Sequence, residues 1–96
     1  MEVGSLLPLD LFTIGNKVVV VGKLTNGILK KGMQTTINNK IAKVEAIELY
    51  RKMVDQISFD DPRIQNGGIG VMLSGITNSD IDPLIKGQTG IIFQSV

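Results

Sequence analysis

The chain has 96 residues, a net charge of +1, 43% hydrophobic and 20% charged residues, the composition of one globular domain spanning 1–96. It contains no cysteine and no histidine, which excludes disulfides, thiolate metal sites and an imidazole general base. Its longest β-branched run, Val18-Val19-Val20-Val21, stops at Gly22-Lys23, far short of the ~20 apolar residues of a membrane helix. Met1-Glu2-Val3-Gly4 does not read as a secretory signal, and a cytoplasmic location is expected.

In chain order, short apolar runs alternate with turn signals, which predicts strands over residues 9–14, 17–24, 34–37, 40–49, 69–74 and 89–94. The valine run suits a strand buried on both faces. Gly15-Asn16, Asn26-Gly27, Asn38-Asn39 and Asn66-Gly67 are expected reversals, since these residues reach positive φ cheaply. Gly32 and Gly87 each follow a lysine and are expected to supply turns. Over 40–46, Ala42, Val44 and Ala46 alternate with Lys43 and Glu45 until Ile47 breaks the pattern, which predicts a bulge. Residues 53–68 read as a long loop with an exposed Phe59, where a protein partner would predict an apolar patch with Ile64, and 82–84 as a short insertion. Of the four aromatics, Phe12, Tyr50, Phe59 and Phe93, most are expected in the core. The fold class is all-β, a small closed barrel of about six strands.

Catalytic motifs are missing. Gly27 to Gly32 has the glycine spacing of a phosphate loop, but Met33 and Gln34 stand where lysine and a hydroxyl are needed. Asn39-Lys40 lacks the aspartate of a guanine-recognition motif. Asp60-Asp61 reads as a solvated acidic pair rather than a metal site. No enzyme activity, cofactor or metal is expected. Charge is uneven, with a balance of +4 over residues 1–52 and −3 over 53–96. Lys17, Lys23, Lys30, Lys31, Lys40, Lys43, Arg51 and Lys52 either dot a solvated surface or gather into one basic patch.

Phe12-Thr13-Ile14, Gly27-Ile28-Leu29-Lys30-Lys31-Gly32, Val44 through Lys52, Gly70 through Ile76, and Ile85-Lys86-Gly87-Gln88 come in an order that resembles the second domain of elongation factor Tu and related translational GTPases. The resemblance covers about residues 7–93 and implies a β-barrel that contacts tRNA or ribosomal RNA. The family's Glu-x-x-Arg motif falls on Glu48 and Arg51. By the resemblance, Glu48 accepts a hydrogen bond from a terminal ribose and Arg51 lines a pocket for the terminal adenosine. Tyr50 offers a stacking surface and Lys52 lies beside it. Where the family commonly has an asparagine before the residue matching Ile69, this chain has Gly68.

The function expected is a non-catalytic binding module engaging the tRNA 3′ end, ribosomal RNA or a translation factor. The alternatives are a protein–protein or regulatory (immunity) module without RNA binding, and a barrel excised from a larger factor. Glu48 and Arg51 could equally form a surface ion pair worth about 0–1 kcal/mol. Three residues apart, they would diverge on a regular strand. A shared site predicts disrupted pairing between Ile47 and Lys52, with both side chains on one side.

Overall fold

A computed structural model describes residues 2–64 and 68–96. Strands β1 (Val3–Ile14) and β2 (Lys17–Lys30) form one long hairpin, paired from Ile14–Lys17 out to Gly4–Gly27. Gly15, at φ +61°, supplies the left-handed first position of its two-residue turn. Both arms are longer than the sequence predicts. The first strand is expected to begin at residue 9 and Asn26-Gly27 to reverse the chain, yet the strands run through Pro8 and Asn26-Gly27 because the pairing shifts between Pro8 and Asp10 and between Ser5 and Leu6. A bulge accommodates a proline without a donor. Asn26-Gly27 is therefore not a reversal. Gly27 has φ +74° and sits where a Cβ would collide with the Val3 carbonyl oxygen, so glycine lets β1 and β2 approach closely there.

β3 (Gln34–Ile37) and β4 (Lys40–Leu49) match their predicted bounds and pair in register from Ile37–Lys40 to Gln34–Lys43. Asn38 and Asn39 both have positive φ, 53° and 64°, the requirement of a type I′ turn. β7 (Ile69–Ser74) lies between β4 and β2. β8 (Ile91–Gln94) pairs with the first half of β1 and meets β3 only at Gln34–Gln94. The ring β1-β8-β3-β4-β7-β2 closes through the β1–β2 pairing, giving the expected six-stranded antiparallel barrel.

The 53–68 segment is not simply a loop. β5 (Lys52–Val54) folds back on β4, and β6 (Gln56–Ser58) pairs with the outer end of β2. A 3₁₀ turn, Pro62–Ile64, follows, while the reversal expected at Asn66-Gly67 lies outside the described residues. The 82–84 insertion belongs to a helix, α1 (Asn78–Lys86). At its end Gly87 stays right-handed (φ −85°) and donates to the Pro83 carbonyl, while Gln88 is the left-handed residue (φ +51°). The turn expected at Gly87 falls one residue later.

Leu6, Val20, Leu29, Val44, Ile47, Val71, Leu73 and Phe93 are fully enclosed in the barrel interior. Val18 and Val20 face inward, and Val19 on the opposite face is also buried (5%), as the valine run implies. The expectation for the aromatics fails. Phe93 alone is buried, whereas Phe12, Tyr50 and Phe59 are 46%, 61% and 53% exposed. Aliphatic side chains fill this narrow barrel and leave the larger rings outside. Phe59 is thus exposed as expected, but Ile64 packs against the core.

Candidate functional site

One extra residue in β4 creates the site. Val44 pairs with Leu73 and Ala46 with Met72, so Glu45 is bulged out. Before the bulge the even positions Ala42 and Val44 point inward. After it the odd positions Ile47 and Leu49 do. Without the shift Glu48 would face the core, where an unpaired carboxylate is costly. With it, Ala46 and Glu48 lie on the outer surface.

Cross-strand partners share a face, so register alone orders this surface. One row runs Val21, Gly70, Glu48, Met53, and the next Phe12, Val19, Met72, Ala46. Gly70 has no side chain beside Glu48, and the Cβ it lacks would lie 3.6 Å from the Glu48 Cβ. An open depression of about 420 Å³ results, lined by Phe12, Val19, Val21, Glu48, Tyr50, Arg51, Gly68, Ile69 and Gly70. A smaller apolar extension lies between Ile14, Met53 and Met72.

The strand does not break between Ile47 and Leu49. It pairs with β7 on one side and β5 on the other, and reverses at Tyr50-Arg51. Both turn residues are left-handed, at φ 51° and 65°, a conformation that costs an L-residue with a large side chain roughly 1–2 kcal/mol. The Tyr50 hydroxyl donates to the Arg63 carbonyl, tying the tip to the 3₁₀ turn. Arg51 therefore reaches the depression from a turn, and Glu48 and Arg51 line the same hollow. They do not form an ion pair, and among the described residues neither has an ionic partner. Lys52 is exposed at the start of β5, outside the residues lining the hollow.

Sequence reasoning missed the apolar floor. Its signal was Val19 and Val21, the odd-numbered half of a strand whose even half already fills the core.

The eight basic residues do not form one patch. Lys30 pairs with Glu2 (2.7 Å) and Lys40 with Asp80 (3.0 Å). Lys43 lies six positions, or roughly 20 Å, along β4 from Leu49, after which Arg51 and Lys52 follow in the turn and β5. Asp80, only 6% exposed, accepts from Asn38 Nδ2 at 3.0 Å, the Thr77 backbone N–H at 2.9 Å and Lys40 Nζ at 3.0 Å. These donors, Asn38 first, hold its carboxyl far below the usual carboxylate range. Glu45 is also lowered, first by the Ser74 hydroxyl that donates to it at 2.7 Å, then by Lys17, Lys43 and Lys31. The Asp60-Asp61 pair is engaged locally: Ser58 donates to Asp60, and Arg63 donates from Nε to Asp61 Oδ1 and from Nη2 to Oδ2. Among the described residues no three metal-ligating side chains converge, and no helix is long and apolar enough to cross a membrane.

No protein-family model matches the sequence. Among solved structures, the chain is similar to translation elongation factor SelB from Methanococcus maripaludis in its apo form. The TM-score is 0.70 at 20% identity over 96% of this chain, which spans 18% of that one. The fold is thus that of a translation-factor barrel.

Proposed function

We propose that the chain is a non-catalytic binding module that receives the 3′-terminal nucleoside of an RNA, such as a tRNA end, in the Glu48–Arg51 depression. The observation that carries this reading is an apolar floor edged by a carboxylate and a guanidinium that do not neutralise each other. The floor matches the face of a base. Glu48, acceptor-only when ionised, suits the hydroxyls of a terminal ribose, and Arg51 and Tyr50 supply planar groups for stacking. Lys52 adds positive charge at the rim. The likeness to a translation factor supports translation-related partners, with ribosomal RNA or another factor as further members of that class.

The same exposed Phe12, Ile14 and Met53 favour a second reading, a protein-docking surface. Titrating a short RNA with a free 3′ ribose against its 3′-deoxy and 2′-deoxy counterparts separates the two. Loss of affinity on removing either hydroxyl, abolished in Glu48→Gln, supports the nucleoside site. Indifference to the terminal ribose rejects it.

A further inference from the structure

Beyond the two apolar rows of the outer face lies a third, and it is basic. Lys43 pairs with Ser74 on β7, and Lys17, one residue past the Val18–Leu73 pair, flanks Ser74 from β2. Lys17 is half-buried and Lys43 exposed. Among the described residues neither forms an ion pair. Along β2, four positions separate Lys17 from Val21 in the depression, or about 13 Å, with Val19 between them. Glu45, at the bulge, adds a carboxylate to this row and accepts from the Ser74 hydroxyl at 2.7 Å. The apolar hollow thus continues, on the same sheet face, into two ammonium groups that stand outside any ion pair among the described residues, with the Glu45 carboxylate beside them.

We propose that Lys17 and Lys43 seat the phosphodiester backbone of an RNA strand whose terminal nucleoside occupies the Glu48 depression, so that the strand runs across β2 and β4 rather than out past Tyr50-Arg51. The inference rests on the nucleoside reading of the depression and adds the direction of the strand to it. Lysine ammonium groups on long stems track phosphates without demanding a fixed geometry, which suits a segment that passes over the surface. Glu45 opposes the seat electrostatically and sets its strength.

The test compares adenosine, the trinucleotide ApApA, and ApApA carrying a 3′-phosphate, each titrated into the chain while amide chemical shifts are followed. ApApA is expected to bind more tightly than adenosine. That gain should weaken with salt and be lost in the double variant Lys17→Gln/Lys43→Gln. For two phosphate contacts the slope of log K against log salt should shrink by about 1.4. Glu45→Gln should strengthen ApApA binding, an opposite sign that misfolding cannot mimic.

If ApApA binds no better than adenosine, or its gain survives the double variant, the lysine seat is overturned and the depression stands. If the lysines contribute but the 3′-phosphate changes nothing, the strand does not end in the depression, and the nucleoside reading falls together with the strand direction built on it. Binding of none of the three overturns both.

Discussion

Asp80 in the first turn of α1 lies 3.0 Å from the ammonium of Lys40 at the start of β4, forty positions earlier in the chain. The same carboxylate accepts from Asn38 in the β3–β4 turn and from the Thr77 backbone. One side chain therefore caps a helix and fastens it to a hairpin that local sequence cannot bring near. Asp80→Asn should lower the melting temperature by several degrees at pH 7, read by thermal unfolding.

The carboxyl of Asp80 titrates below its unfolded value of about 3.9. A depressed value stabilises the fold at every pH above the unfolded pKa, and that contribution is lost as pH falls below about 4. The difference between wild type and Asp80→Asn should be full at pH 7 and narrow steadily as pH falls from about 4 towards 2. A gap of the same size at pH 2 and at pH 7 would show that the network acts through shape, not charge.

Arg51 occupies a left-handed position at φ 65°. Arg51→Gly relieves that strain while adding unfolded-state entropy. The net expectation is a gain of roughly 0.5–1 kcal/mol in urea unfolding. RNA affinity should fall in the same variant, the pattern of a site held at some expense of stability.

Val20 is completely buried in the barrel wall between β1 and β7. Val20→Asp places a carboxylate where it has no partner, and the cooperative melt should disappear. Val21, half-buried on the opposite face and lining the depression, offers the contrast: Val21→Thr should melt within a few degrees of wild type while weakening nucleoside binding.

Gly75 combines φ +90° with a Cβ position that collides with the Ile41 carbonyl oxygen. Gly75→Ala should therefore cost about 1–3 kcal/mol or more in chemical denaturation. Gly32, at φ +94° with open space around its missing Cβ, meets only the backbone penalty, so Gly32→Ala should cost less. Equal losses would argue that the collision is relieved by movement of β4.

Legibility of the fold followed the strength of local patterns. Gln34 to Ile37, Lys40 to Leu49 and Ile69 to Ser74 carry alternation with asparagine or glycine punctuation, and their bounds could be read directly. The outer halves of β1 and β2 could not, because Pro8 and Asn26-Gly27 signal turns and only pairing with the opposite arm converts them into bulges. Helix α1 hid behind Pro83, although Thr77 followed three residues later by Asp80 is a capping signal. At the site, Glu48 and Arg51 were legible through the resemblance. That the two share one side is expected too, but not the means: the expected disruption of pairing lies after Ile47, whereas the bulge lies at Glu45 and the reversal uses two left-handed residues without a glycine or asparagine to announce them.

Pairing of Val3 to Leu6 with Gln94 to Ile91 closes the ring, and Glu2 and Ser95 tie it off across 93 positions. The β1–β2 hairpin needs only a two-residue loop and can form within microseconds. The first half of β1 then waits, one edge unpaired, for a strand some 85 residues downstream. At 5–20 residues per second that wait during synthesis lasts roughly 4–17 s. Until that strand is made the barrel cannot close, and nascent protein passes through a half-open sheet whose β1 edge is unpaired. Chaperone demand should fall at this interval and not on the finished barrel.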